Sequence, residues 1–362
     1  MAQTNINQEA QMLRFTVIIT VYNTKTEYLC ECVKSVLRQT YDNIEIIIVD
    51  DGSDNADTLL YFDELKSAAK SGDKSLTVIH KPNGGQGSAR NVGIRSAHGD
   101  YLIFLDNDDY YLSDNFLAEM DTLLEESHAD ICSFQYVEFF DDGKRPSFQV
   151  GVLTRDKVYK KSTDAALKAL LSAPRRVFSA ATHTKAIRTG LFREHNIVSP
   201  EGLSNEDVYL SAKLVRHAVT YDRYDFAVYA YRRANAASLS TKRDSSFSVG
   251  HNVLTHIRTL LEDKELANDK NVLDFLSSPY VYWLGKMVSA RINADNTNRA
   301  LIETDIKTGK RYAYLLRHSS RPYVRCLGII IRIFGLEVAM CLLRVYLTLN
   351  NKHMLSVKRK IG

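Results

Sequence analysis

Between residues 15 and 140 the chain alternates short runs of β-branched and aliphatic residues with longer stretches in which apolar residues recur every three or four positions. Short continuous runs have the length of buried strands, and the 3.6-residue recurrence is that of a helix with one buried face. "FTVIIT" (15–20), "IEIIIVDD" (44–51), "LTVIH" (76–80), "YLIFL" (101–105) and "ADICSFQYVEFF" (129–140) therefore predict five strands. Apolar residues at 29, 32, 33, 36 and 37 predict a first helix, and a second covers 57–69. A third follows the glycine-rich turn 82–93 and ends near Gly99, which is placed as a C-cap. Ser113 is placed to cap a fourth, with Phe116, Leu117, Met120, Leu123 and Leu124 turned inward. Such alternation implies an α/β fold, a mostly parallel sheet covered by helices on both faces.

After residue 150 the pattern loosens. Helices fit 163–171 and 206–217, "YDFAVYAYR" (224–232) alternates like a strand, and only helices are predicted from 247 onward. No Pro/Gly-rich linker divides the chain. The reading is an α/β domain over 14–245, with halves at about 14–140 and 150–245, and a helical C-terminal region over 246–362.

With 362 residues, 45% of them hydrophobic and 25% charged, the composition is that of an ordinary globular protein. Five cysteines in no zinc spacing read as reduced thiols, which points to a cytosolic compartment. "MAQTNINQEAQML" lacks the charged-then-apolar pattern of a signal peptide, so export is not expected.

Charge changes the picture at one end. Residues 306–362 hold twelve Lys/Arg against one acid, Glu337, while the rest of the chain is net acidic. An anionic partner for the C-terminal end follows. "RPYVRCLGIIIRIFGLEVAMCLLRVYLTL" (321–349) is apolar, but a spanning helix would have to bury Arg332, Glu337 and Arg344. Arg321, Arg325 and Arg332 fall on one helical stripe, with "KRK" (358–360) beyond. That arrangement suits an interfacial helix on an anionic membrane surface, at the inner face of the membrane. A helical bundle or an oligomer contact is the alternative use of the same apolar face. The segment carries no nucleic-acid-binding motif, so a nucleic-acid partner is not expected.

Candidate chemistry lies where open α/β sheets bind ligands, outside the carboxyl ends of the strands. "TVYN" (20–23), "DDGS" (50–53), "NGGQGSARN" (83–91) and "DNDD" (106–109) follow the first four strands in turn. Each alone is explained by turn chemistry; four on one rim suggest a nucleotide-diphosphate site. Tyr22 offers a ring to a base, Asp50 an acceptor for a base N–H, and Arg90 a positive charge near a helix N-terminus. Three carboxylates in four positions repel one another. Either the loop is solvated and caps a helix, or a cation offsets the charge. Asp106 and Asp108, flanking Asn107, can hold Mg²⁺ or Mn²⁺ together with substrate phosphates, and Asp109 is the candidate structural acceptor of backbone amides. The first strand is not followed by G-x-G-x-x-G and the glycine-rich loop is not a Walker loop, so dinucleotide and P-loop readings fail.

"VIITVYN", "SVLRQTYDNIEIIIVDDGS", "NGGQGSARNVGIRSAHGDYLIFLDNDDY" and "SNEDVYL" resemble, in order and spacing, the motif series of the family 2 glycosyltransferases with the GT-A fold. The resemblance covers about residues 14–235. It implies an inverting enzyme that moves a sugar from a nucleotide-diphosphate donor, UDP foremost, to a glycan or lipid-linked acceptor in surface polysaccharide or glycoconjugate synthesis. By this resemblance Thr20, Tyr22, Asn23 and Asp50 hold the nucleoside, and Arg90 the nucleotide or diphosphate. Asp106, Asn107 and Asp108 form the DxD motif, with Asp106 on ribose or sugar and Asp108 on the metal. Thr20 stands where many members have proline. The Q-x-x-R-W signature of processive synthases is absent, which favours transfer of single sugars.

The resemblance also makes Asp207 the base, with Glu206 beside it; without it, two acids in a first helical turn are what the helix dipole favours. Arg232 or Arg233, in "YAYRRANAASLST" (229–241), is either a phosphate ligand or part of a solvated basic loop. His183, His251 and His256 read as lone surface or core histidines. A glycosyltransferase acting on a polyol-phosphate polymer, and a non-catalytic nucleotide-sugar-binding scaffold, are the competing functions.

Overall fold

The computed structural model describes residues 12–68, 74–140, 180–233, 245–293 and 298–345. The helix expected over 163–171 and the "KRK" at 358–360 lie outside them.

The chain divides into two compact units that do not follow chain order. The first comprises Met1–Ser162, Thr182–Val198 and Val219–Arg232; the second comprises Thr163–Ala181, Ser199–Ala218 and Arg233–Gly362. In the first, β1 (Phe15–Val21), β2 (Ile44–Asp50), β3 (Ser75–His80) and β4 (Tyr101–Asp106) pair in parallel in the order β3-β2-β1-β4. Every residue of β1 and β2 is buried, as expected of strands covered on both faces. The helices α1 (Thr26–Leu37), α2 (Ala56–Ala68) and α3 (Gly85–Ser96) follow the first three strands. A helix between each pair of successive parallel strands leaves the carboxyl ends of β1–β4 on the same rim.

Beyond β4 the pairing turns antiparallel. β6 (Ile131–Phe140), predicted as the fifth strand, reaches the sheet through β7 (Lys185–Arg188), which inserts between β4 and β6. The outer strands are β8 (Tyr221–Arg233) and β5 (Tyr110–Tyr111), the latter too short to carry a periodic signal.

Two predicted caps are placed differently. α3 ends at Ser96, and Gly99 lies beyond it, where a Cβ would meet the Arg14 carbonyl and the Thr16 hydroxyl, both at 2.6 Å. Glycine is needed there for close approach to β1, not for a left-handed cap. α4 (Phe116–Ser127) starts three residues past Ser113, whose hydroxyl accepts from Asn115 N at 3.2 Å. Its first turn is held by Gln39, buried at the end of α1, whose side-chain oxygen accepts from Leu117 N at 3.1 Å.

Among its described residues the second unit is mainly helical. α6 (Glu206–His217) matches the predicted span; α5 (Thr189–Glu194) precedes it in the first unit. α7 (Ser245–Glu262) and α9 (Lys270–Ile292) enclose the only tryptophan, Trp283, which is fully buried. Between them α8 (Lys264–Asn268) is capped by Asp263, and Asp269 caps α9. α10 (Arg299–Gly309) and a 3₁₀ segment (Lys310–His318) lead to α11 (Pro322–Phe334). The apolar run 321–349 is thus broken at Gly335 (φ 85°), with residues 336–345 helical again. Among the described residues no helix is long and apolar enough to cross a membrane.

Candidate active site

The strand ends of the first unit carry the predicted rim. Tyr22 is 54% exposed, free to offer its ring. Thr20 is buried, and its carbonyl accepts from the Asn107 side chain at 2.6 Å. The other end of the Asn107 amide accepts from the Thr24 hydroxyl at 2.8 Å. Asn107 thereby fastens the β4 loop to the β1 loop, using both ends of its side chain. Asn23 has a similar function: it adopts a left-handed φ of 48° and its side-chain oxygen accepts from the amides of Asp54 and Asn55.

Asp50 is buried. Its carboxylate accepts from Ser53 N at 2.9 Å and from His80 Nδ1 at 2.8 Å. A base N–H reaching Asp50 has to share an oxygen that is already bonded. Its neighbour Asp51 shapes the glycine-rich loop, accepting from Lys81 Nζ and from the amides of Gly84 and Gly85 at 3.0 and 2.7 Å. Gly52 (φ 78°) permits this, since a Cβ there would lie 2.7 Å from Asn83 N. Nothing in the local sequence signals this role of Asp51, because "DDGS" has the composition of an ordinary turn.

At Asp106–Asp109 the repulsion is answered by the protein's own groups. Asp106 faces Arg90 Nη2 at 3.6 Å, Gln86 Nε2 at 3.3 Å and His183 Nδ1 at 3.3 Å. Arg90 is 2% exposed and its guanidinium lies over the Phe104 ring. Asp109 is the structural acceptor expected: it is buried, with Arg232 N and the Tyr229 hydroxyl each donating to it at 2.7 Å. Burial, then the Asp108 and Asp106 charges, push its carboxyl well above the usual range. The Tyr229 hydroxyl also accepts from Asp106 N at 3.2 Å, which ties both ends of the loop to β8.

Two expectations are corrected here. Arg232 is not in a solvated loop. It is buried against the rings of Tyr28 and Phe139, pairs with Glu31 and donates from Nε to the Asp108 carbonyl at 2.8 Å. His183 is not a bystander. It stacks on Tyr229 and Tyr231, at centroid separations of 4.9 and 5.8 Å, and faces Asp106. Nothing local to "ATHTKA" signals this, because the contact bridges 77 positions of sequence.

The donors suit a hard divalent cation: Asp106 and Asp108 are partly exposed carboxylates at a strand end. Among the described residues no three His, Cys, Asp or Glu side chains form a preassembled metal cage. A cation held here would complete its shell with phosphate oxygens and water, which is how Mg²⁺ and Mn²⁺ bind beside nucleotides. Glu206 and Asp207 belong to the second unit, in the first turn of α6, with Glu206 buried and Asp207 partly exposed.

The glycosyl transferase family 2 profile matches residues 16–193, from the start of β1 into α5. The chain carries a family 2 glycosyltransferase domain. EpsH of Bacillus subtilis (strain 168) is 34% identical over 185 residues, 51% of this chain and 50% of EpsH. The glycosyltransferase GlyG of Streptococcus pneumoniae serotype 4 is 38% identical over 126 residues, 34% of this chain and 39% of GlyG. The chain spans half or less of the length of these relatives.

In three dimensions S. aureus TarS 1–349, solved with UDP-GlcNAc, superposes with a TM-score of 0.67 at 19% identity, covering 93% of this chain and 92% of that one. The mannosyltransferase PcManGT of Pyrobaculum calidifontis, solved with GDP-Man and Mn²⁺, gives 0.50 at 15% identity, covering 93% and 88%. These likenesses establish the GT-A fold of the family 2 domain.

Proposed function

We propose that this protein transfers single sugars, with inversion, from a nucleotide-diphosphate donor to a glycan or lipid-linked acceptor of a surface polysaccharide or glycoconjugate. The observation that carries the reading is the rim of the family 2 domain, where Tyr22, the glycine-rich loop and Asp106–Asp108 follow adjacent parallel strands. In this reading Tyr22 takes the base, Arg90 holds Asp106 against the donor, and Asp108 with Asp106 holds Mg²⁺ or Mn²⁺. The bound cation supplies Lewis-acid stabilisation of the departing diphosphate. Asp207 accepts the proton of the attacking hydroxyl, a role favoured over Glu206 by its greater exposure. Asn23, Asn107 and Arg232 act on the donor through the loops they fasten.

The test is release of nucleotide from UDP-, GDP- and TDP-sugars with Mn²⁺ or Mg²⁺ and with chelator. Metal-dependent release from one nucleotide class supports the reading. Tight donor binding without turnover, with any glycan or polyol-phosphate acceptor added, would show a binding scaffold instead.

The C-terminal helices favour a second statement, that the protein meets an anionic membrane surface. Ile329, Ile333 and Phe334 on α11, with Leu342 and Val345 beyond, are more than half exposed. An apolar face next to a basic stretch is the composition of an interfacial helix. The predicted arginine stripe is partly engaged inside the unit: Arg321 donates to Ser278 Oγ at 2.7 Å and Arg325 to the Ser319 carbonyl at 2.8 Å. Arg332, on α11, is exposed.

A further inference from the structure

Within the second unit, Ser204 is gripped by two side chains from one face of α7. Asn252 Nδ2 donates to the Ser204 hydroxyl at 2.8 Å, and His256 Nε2 lies 3.0 Å from the Ser204 carbonyl. Positions 252 and 256 are four apart, hence neighbours on the helix surface. A carbonyl can only accept, so the proton of His256 sits on Nε2. His256 is 2% exposed, and burial lowers its pKa against the opposing influences of Ser204 and the Asp207 charge. Its ring also meets that of Tyr209, on the next part of α6, at 6.3 Å.

What the grip holds is a sharp turn. Asn205 follows Ser204 with a left-handed φ of 63°, and α6 begins at Glu206 without a side-chain cap. A non-glycine residue in that region persists where its surroundings over-determine it. Ser204 leads directly into this turn, so what anchors Ser204 bears on the direction in which Glu206 and Asp207 leave it.

We infer that Asn252 and His256 are positioning residues that, through Ser204, aim the Asp207 carboxylate. The inference rests on the reading of Asp207 as the acceptor-side base. General-base catalysis is sensitive to placement, and misplacement of about 1 Å is worth about 100-fold in rate. The clamp explains why a buried histidine, remote in sequence, is used in place of an aliphatic core residue.

The test uses the full chain with Asn252→Ala, His256→Leu, His256→Gln and Asp207→Asn. UDP-GlcNAc, UDP-glucose, GDP-mannose and TDP-glucose with Mn²⁺ serve as donor probes, and amide hydrogen exchange is followed over residues 203–209. Positioning predicts that His256→Leu and Asn252→Ala lower kcat by about 10–100-fold while KM for the donor stays within about twofold. His256→Gln, whose amide can still donate to the Ser204 carbonyl, keeps most of the rate. Exchange at 203–209 speeds up in His256→Leu and not in His256→Gln. Unchanged exchange in both His256→Leu and Asn252→Ala overturns the clamp, whichever donor is used. Faster exchange with parent kcat overturns the aiming. If Asp207→Asn itself keeps the parent rate, the base assignment fails, and exchange still reports on the clamp separately.

Discussion

His183 Nδ1 lies 3.3 Å from Asp106 Oδ2, with the imidazole stacked on the rings of Tyr229 and Tyr231. The contact fixes one carboxylate oxygen of the "DND" loop, while Gln86 and Arg90 face the other. An aspartate held from both sides is oriented before any ligand arrives. These partners relieve part of the charge crowding for which the sequence offered either a solvated loop or a cation. His183→Leu is expected to weaken metal-dependent nucleotide binding by about 10–100-fold, the cost of removing an orienting partner. Titration calorimetry with UDP and Mn²⁺ checks it; an unaltered Kd refutes the role.

Asp108→Ala is expected to abolish the metal-dependent part of nucleotide binding. The residue is only partly buried, so the melting temperature should hold within a few degrees. Calorimetry with and without Mn²⁺, beside a thermal melt, separates ligation from folding.

Asp207→Asn should retain donor binding and lose transfer, by about 10²–10⁴-fold, because the amide cannot take the hydroxyl proton. Glu206→Gln serves as the control. A dead Glu206→Gln beside an active Asp207→Asn would exchange the two assignments.

Asp130 joins three segments of the first unit. It accepts from Val219 N at 2.7 Å, Thr220 N at 3.1 Å and Arg188 Nε at 2.7 Å. Burial alone would raise its pKa, but these hydrogen bonds outweigh burial and lower it. A carboxylate whose pKa is depressed on folding binds its proton more readily in the unfolded chain. Its stabilisation is therefore complete above the unfolded pKa, about 3.9, and is lost as pH falls through the lower folded value. Asp130→Asn should cost about 1–3 kcal/mol at pH 7 and flatten the loss of stability below about pH 4. Urea melts across pH 3–7 measure both.

Ile333→Ser with Phe334→Ser should reduce co-sedimentation with vesicles rich in phosphatidylserine at low salt. Both side chains are more than 60% exposed, so melting should not move. A parent protein that ignores such vesicles would discard the membrane reading of the C-terminal helices.

Local pattern determined the strands β1–β4, the helices behind them and α6, because burial on both faces and 3.6-residue periodicity are written in neighbouring residues. It also placed four polar loops on one rim, since parallel strands with crossover helices leave all their carboxyl ends on the same side. Asp109 as an amide acceptor followed from the same crowding of charge. Tertiary structure decided the partners. Arg90 sits under Asp106, His183 faces it, Arg232 locks to Glu31 and the Asp108 carbonyl, and Asp51 grips Gly84 and Gly85. Each of these pairs joins residues 16 to 201 positions apart. Whether a charged or aromatic side chain reaches solvent, ligand or another side chain depends on which segment folds over it. That is set by the packing of the whole unit, where burying an ionised group is tolerated only if an opposite charge or hydrogen bond arrives with it.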